Sequence, residues 1–143
     1  MNAKEDAERL MNEAVPFAKR MLEEYGEFFP YGAYIKSGGE IVQVGAYDKD
    51  TDQPESKDLL YLLRDSFTSM AKVGECIATA MVIDVKVNLP NTNSRTDAIQ
   101  VCLEHRDGYS AEVFFPYVIA DDGQIVYGPI FAQRGKRELF GTS

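Results

Sequence analysis

The only histidine of the chain stands in the run Glu104-His105-Arg106-Asp107-Gly108, the stretch best suited to acid–base chemistry. A histidine beside a carboxylate can act as a general base. However, neighbouring residues of a strand point to opposite faces of the sheet, so Glu104 cannot reach the ring of His105. Asp97 shares the face of His105, but eight strand residues at ~3.3 Å each separate the two by about 26 Å. We therefore expect no catalytic residue, and we expect His105 to close the end of the core face as a hydrogen-bonded side chain.

The turn after His105 decides whether Ser110 can serve as its nucleophilic partner. A two-residue turn would bring these two residues together, but it would place Leu103 opposite Glu112. A three-residue loop with a left-handed Gly108 instead pairs apolar side chains, namely Leu103 with Ala111, Val101 with Val113 and Ile99 with Phe115. We predict this second register, in which Ser110 does not face His105 and no third residue is placed to orient the imidazole.

A small-molecule site is the alternative interpretation, and its candidate ligand-binding residues are His105, Arg106, Arg95 and Tyr117. Tyrosines line many ligand pockets, and Arg95 at the start of a strand could hold an anion. The competing interpretation of Arg95 is an exposed side chain at a strand-entry turn. The alternative requires that the fold bring these side chains together around one cavity.

No metal or cofactor is expected. With one histidine and two separated cysteines, Cys76 and Cys102, a zinc site would have to be built mostly from carboxylates. The acidic residues lack the spacing of a calcium-binding loop. Gly38-Gly39 lacks the glycine spacing and the following lysine of a phosphate loop, so we interpret it as a turn.

The composition excludes some classes of partner. The chain has 143 residues, with 15 basic and 23 acidic side chains and a net charge of −8 at pH 7. Nucleic-acid binding depends on clustered lysine and arginine, so the charge argues against such a partner and suits a basic protein. No apolar run approaches the ~18 residues of a membrane span. The length predicts one domain over residues 1–143. Two cysteines without C-x-x-C spacing fit reduced thiols, so we expect a cytoplasmic protein with no membrane partner.

The hydrophobic pattern predicts an α+β fold: a single antiparallel sheet of about six strands with two helices, in the order α-β-β-α-β-β-β-β. The first helix spans residues 5–25, with either a kink or a fresh start at Pro16. The second begins at Asp52-Gln53-Pro54-Glu55 and ends near Lys72 and Gly74. Strands are expected at 31–35, 41–47, 76–89 and 97–105, then through Ala111 to Ile119, and at 125–133, with a bulge or an edge at Gly128-Pro129.

Two strands bear on how many layers the fold has. In residues 76–89 the odd positions are mostly apolar, which predicts that they form the one dry face of that strand. In the fifth strand Phe114 and Val118 are apolar as well as the inward row, so the second face of the sheet must also be shielded. Either a helix, as in a three-layer fold, or a second copy of the chain would cover it.

The order of elements resembles the profilin and roadblock architecture, in which an antiparallel sheet carries helices on its faces. The sequence also resembles small bacterial proteins of no assigned role, over the stretches Glu27-Phe28-Phe29-Pro30, Thr96-Asp97-Ala98-Ile99, Leu103-Glu104-His105-Arg106 and Phe115-Pro116-Tyr117. This second resemblance extends over most of the chain and implies no catalytic residue.

Two functions follow as hypotheses. The first is a non-catalytic protein-interaction module, a small acidic cytoplasmic domain that self-associates as a homodimer or binds another protein. The second is a small-molecule-binding protein or enzyme with a pocket around His105, Arg106 and tyrosines.

Overall fold

The computed structural model describes residues 2–45 and 56–140. Within these ranges it has two helices and seven strands: α1 (Ala3–Tyr25), β1 (Tyr31–Lys36), β2 (Ile41–Gly45), α2 (Ser56–Lys72), β3 (Cys76–Asn88), β4 (Arg95–His105), β5 (Ser110–Ile119), β6 (Ile125–Tyr127) and β7 (Phe131–Arg134). The strands form one antiparallel sheet in the order β2-β1-β3-β4-β5-β6, with β7 also paired to β5. The predicted α+β class is confirmed, with seven strands instead of six. The expected helix start at 52–55 and strand residues 46–47 lie outside the described residues.

Helix α1 is a single continuous helix, so the chain does not start afresh at Pro16. The Asn2 side chain caps its first turn by accepting the Glu5 N–H at 2.8 Å. Gly26 ends it with φ of 74° and donates its N–H to the Leu22 carbonyl. Its apolar stripe faces the sheet and is almost fully buried: Ala7, Leu10, Ala14, Ala18 and Leu22.

The Tyr31 hydroxyl stands in for a hydrogen bond of α1 next to the helix proline. It donates to the Ala14 carbonyl at 2.5 Å and accepts the Ala18 N–H at 3.0 Å. In a regular helix these two groups would bond directly to each other. Burial raises the pKa of this tyrosine well above its ordinary value. Next to Pro16, a side chain of β1 therefore supplies the hydrogen bonds that these two backbone groups of α1 would otherwise make with each other.

The predicted register of the β4–β5 hairpin is confirmed. Leu103 pairs with Ala111, Val101 with Val113 and Ile99 with Phe115. Gly108 lies in the left-handed region with φ of 104°. Gly128-Pro129 divides the last predicted strand into β6 and β7, both of which pair with β5 at the edge of the sheet. A proline has no N–H for the ladder, which is why the strand is interrupted there.

The sheet lies between the two helices, which makes three layers. On the α1 face the core contains Ala33, Ile35, Ile99, Val101 and Val113 among others. On the opposite face Leu63 and Phe67 of α2 pack against Met81. Gly32 is required beneath α2, because a Cβ there would come 2.7 Å from a Phe67 ring carbon and from the Ala80 carbonyl.

The odd-numbered residues of β3 are buried or half-buried as expected, but the expectation that they form its one dry face is wrong for residues 76–82, where both faces are buried. Ala78, Ala80 and Val82 face α1, while the odd-numbered Met81 faces α2. Both faces are buried over this half of the strand, so alternation carries no information about which one is inside. The alanines face α1 because small side chains let that helix approach the sheet closely.

Candidate functional site

His105 closes the end of the α1 face, opposite Ala78 of β3, and is only 2% exposed. Its Nε2 lies 3.0 Å from Asp6 Oδ2 in the first turn of α1. Its Nδ1 accepts the Asp107 backbone N–H at 3.0 Å. Because Nδ1 is the acceptor, the hydrogen-bond network assigns the ring proton to Nε2, which donates it to Asp6. Both ring nitrogens are therefore occupied within the protein.

The hydrogen bond between His105 and Asp6 joins the start of α1 to the end of β4. A general base needs a free nitrogen within reach of a substrate proton, and the His105 ring offers neither exposure nor a free position. The expectation that no residue orients the imidazole was wrong, because Asp6 does so from 99 residues away. A sequence signal existed: Asp6 lies one helical turn before the buried Leu10, on the apolar stripe of α1.

The four candidate ligand-binding residues do not meet at one place. Arg106 is exposed in the turn beside His105, whereas Arg95 is exposed at the opposite end of β4. Ten residues of strand separate His105 from Arg95, which is about 33 Å at ~3.3 Å per residue. Tyr117 pairs with Asp97 near the Arg95 end. Ligand binding by any of them stays a prediction, but they form no shared pocket.

Tyr117 instead bonds to a half-buried carboxylate. Its hydroxyl donates to Asp84 Oδ1 at 2.6 Å. Burial raises the pKa of Asp84, and the nearby Asp97 and Glu27 add to the rise, while the bond from Tyr117 opposes it. Burial likewise raises the pKa of Tyr117, helped by Asp84. This is the arrangement of a structural hydrogen bond, with no nucleophile beside it.

A second buried acid, Glu104, lies on the α2 face. Glu104 is only 4% exposed. Its carboxylate accepts hydrogen bonds from three consecutive backbone N–H groups, those of Glu138 and Leu139 at 2.8 Å each and that of Phe140 at 2.5 Å. We call residues Gly135–Phe140 the strap. Leu139 is buried with the α2 residues Leu63 and Phe67. No local sequence pattern indicates this contact, because the strap follows Glu104 by more than 30 residues.

A cavity of about 180 Å³ lies between the strap, α2 and the sheet. Arg64, Gln100, Cys102, Glu112, Lys136 and Glu138 supply its polar lining. Burial raises the pKa of Cys102 to about 12, with Glu112 adding to the rise, so this thiol is protonated at neutral pH and is a poor nucleophile. Over residues 2–45 and 56–140, no cluster of three or more His, Cys, Asp or Glu residues could hold a metal ion.

Alongside α2 and the strap, the outer side of the sheet carries mostly uncharged side chains. We call this surface the open face. Alternation along each strand and the strand register place these uncharged residues on it in three rows: Val87, Thr96, Val118 and Val126; Val85, Ala98 and Pro116; Ile83, Gln100, Phe114 and Phe131. Ala98, Pro116, Ile83 and Phe114 are themselves buried within the chain, so the exposed side chains are concentrated in the first row. Val118 and Val126 pair directly and are 58% and 56% exposed. The first two rows contain no residue of the α2 core cluster.

Comparison with protein-family models, with curated proteins and with solved structures found no match in any of the three. The resemblance to the profilin and roadblock architecture therefore stays a prediction. Within the described residues, neither helix has the length and apolar character needed to cross a membrane.

Proposed function

We propose that this chain is a non-catalytic protein-interaction module whose interface is the open face, and that it self-associates through this face as a homodimer. The supporting observation is a four-strand-wide area of uncharged side chains in a chain that is 27% charged. An apolar sheet face is normally buried against another layer. No described element of the chain covers the row from Val87 to Val126, and a second copy of the chain would bury it.

The size of the open face predicts a weak, reversible dimer. Four strands ~4.8 Å apart and three rows ~6.7 Å apart give a footprint of roughly 400 Å² per copy, of which the parts over Ala98, Pro116, Ile83 and Phe114 are already buried in the monomer. This is the size of the largest, often functional, apolar patches of monomers. A stable complex buries about 800 Å² per partner, so the open face supplies at most about half of that area. We therefore expect dimers that form and dissociate with concentration.

The net charge of the chain favours an uncharged interface between copies. Each copy has a net charge of −8, so two copies repel each other, and they approach at least cost where neither presents a charged side chain. Salt screens this repulsion, since the Debye length falls from about 10 Å at 0.1 M to about 3 Å at 1 M. Added salt should therefore strengthen the dimer, whereas binding to a basic partner would weaken with salt.

Sedimentation equilibrium between 10 and 500 µM tests this proposal. The wild-type chain should show a concentration-dependent dimer that is more populated in 1 M salt than in 0.1 M salt. Val118→Asp should make it monomeric by placing a charge on the open face. Val73→Asp is the matched control, because Val73 is 69% exposed in the turn after α2, away from the open face. A wild-type chain that is monomeric at all concentrations, or equal effects of the two substitutions, would contradict the proposal.

A cytoplasmic location is part of the same proposal. Cys76 and Cys102 are both free thiols, and unpaired cysteines are typical of a reducing compartment. The absence of an enzyme activity is supported by the only histidine, which is buried and bonded at both nitrogens.

A further inference from the structure

The strap is held against the sheet as a bound peptide would be. It follows β7 and forms neither helix nor strand. It is bonded to Glu104 of β4 and to Arg64 of α2. We propose that the groove it occupies is a peptide-binding site that also accepts, in place of the strap, an extended segment of a partner protein with the pattern acidic residue, leucine, aromatic residue. We call this site the strap groove; it is formed by Glu104, Arg64, Leu63, Phe67 and Met81.

Glu104 recognises backbone and not side chains. Its carboxylate is bonded by three successive N–H groups, so any segment that presents three such groups in the same conformation can replace the strap there. Bonds from N–H to a carboxylate are the strong class of protein hydrogen bonds. No lysine or arginine of the described residues forms an ion pair with Glu104 in this structure. Its charge is therefore balanced by the strap backbone, as in the backbone nests that capture carboxylates.

The side chains of the strap groove define the ligand pattern. Leu139 is 6% exposed and fits among Leu63, Phe67 and Met81. The preceding Glu138 forms an ion pair with Arg64 at 3.2 Å on the rim of the groove. The following Phe140 packs half-buried against the same cluster. A partner segment should therefore have leucine at the centre, with an acidic residue before it and an aromatic residue after it.

The packing under the strap favours exchange. Leu139 is the only buried residue of the strap, and a cavity of about 180 Å³ lies beside it. Segments with few buried contacts open at lower free energy than the rest of a fold. Because the strap is tethered, it competes at an effective concentration of about 1 mM. A free peptide should therefore bind the wild-type chain weakly, and a chain with a released strap more tightly.

Fluorescence anisotropy with a labelled peptide of sequence RGKRELF, copying residues 134–140, tests the proposal on the full chain. Leu139→Glu should release the strap, and this variant should bind the peptide saturably and at least tenfold more tightly than the wild-type chain. Adding Glu104→Gln should weaken binding at least tenfold. Adding Glu24→Gln is the matched control, since Glu24 is an exposed acid of α1, on the other side of the sheet from the strap groove. It should leave peptide affinity unchanged.

Three results would overturn the proposal: no saturable binding up to 1 mM, equal affinity after Glu104→Gln, or equal affinity for the peptide RGKREEF. If Leu139→Glu does not fold, hydrogen exchange on the wild-type chain decides instead. Several millimolar RGKRELF should speed exchange of the amides of residues 138–140 at least threefold, and RGKREEF should not. Unchanged exchange with both peptides would refute exchange of the strap. These measurements do not involve the open face. The result for peptide binding to the strap groove is therefore independent of the result for the dimer.

Discussion

Removal of the Asp6 carboxylate tests whether its hydrogen bond with the buried ring of His105 holds the start of α1 against the end of β4. In Asp6→Ala the Nε2–H of His105 loses its acceptor while remaining in a site that is 2% exposed. A hydrogen bond to a charged group contributes about 1.5–3 kcal/mol, and an unsatisfied buried donor costs a similar amount. We therefore expect Asp6→Ala to lower the free energy of unfolding by about 2–3 kcal/mol at pH 7.

The assay is urea unfolding followed by circular dichroism. With a slope of roughly 2 kcal/mol per molar urea, the expected loss moves the midpoint by about 1–1.5 M. Asp6 also lies in the first turn of α1, where an acid gains about 0.3–1 kcal/mol from the helix dipole. Glu5→Ala is the matched control, because Glu5 is an exposed acid of the same turn. The difference between the two variants isolates the contact with His105.

A double-mutant cycle separates this contact from other effects. His105→Leu alone leaves the carboxylate of Asp6 without its donor, whereas combining it with Asp6→Ala removes both polar groups. The double variant should therefore be more stable than the sum of the two single losses predicts, by at least ~1 kcal/mol. The interpretation that the bond between Asp6 and His105 stabilises the fold would be refuted by either of two results. One is additive losses of unfolding free energy in the double variant, and the other is a loss in Asp6→Ala no larger than that in Glu5→Ala.

Three further predictions follow from the same structure. Gly32→Ala should lower the free energy of unfolding by about 1–3 kcal/mol by overpacking Phe67, while Gly38→Ala, with open space around its Cβ position, should change it by under ~0.5 kcal/mol in urea unfolding. The raised pKa of Asp84 disfavours its ionised form in the folded state, so wild-type stability is lost as pH rises through that pKa; Asp84→Asn should raise the melting temperature at pH 7 and give a smaller gain at pH 4. Cys102, with its pKa raised to about 12, should react with iodoacetamide at pH 8 roughly a hundredfold more slowly in the native chain than in urea, measured by peptide mass spectrometry.

The local features of the fold could be predicted from the sequence because one alternative was clearly better than the others. Only one register of the β4–β5 hairpin sets Leu103 beside Ala111 and Val101 beside Val113, and the structure has that register. Which side chains of β3 face α1 could not be predicted, because both faces of the strand are buried near Ala80. Alternation of polar and apolar residues distinguishes an exposed face from a buried one, but it does not distinguish two buried faces. Covering the second face by α2 was one of two open alternatives, and the structure shows it over part of the sheet.

The candidate sites depended on contacts between distant parts of the chain, which sequence patterns do not reveal. His105 and Asp6 are 99 residues apart, and Glu104 meets the strap across 34–36 residues. Each polar group is satisfied by a partner that only the assembled sheet brings near. Grouping Arg95 with Arg106 failed for a related reason: they begin and follow one 11-residue strand, so an extended chain keeps them far apart.

The Tyr31 hydroxyl has a consequence for how this protein assembles. The Ala14 carbonyl and the Ala18 N–H, in the middle of α1, find their partner in this hydroxyl only once β1 has docked against the helix. The isolated helical segment would retain a weak point beside Pro16, and the strand supplies the missing link from outside. Formation of the helix and addition of this strand are therefore coupled events, and Tyr31→Phe should uncouple them by letting the two halves of the helix fray independently.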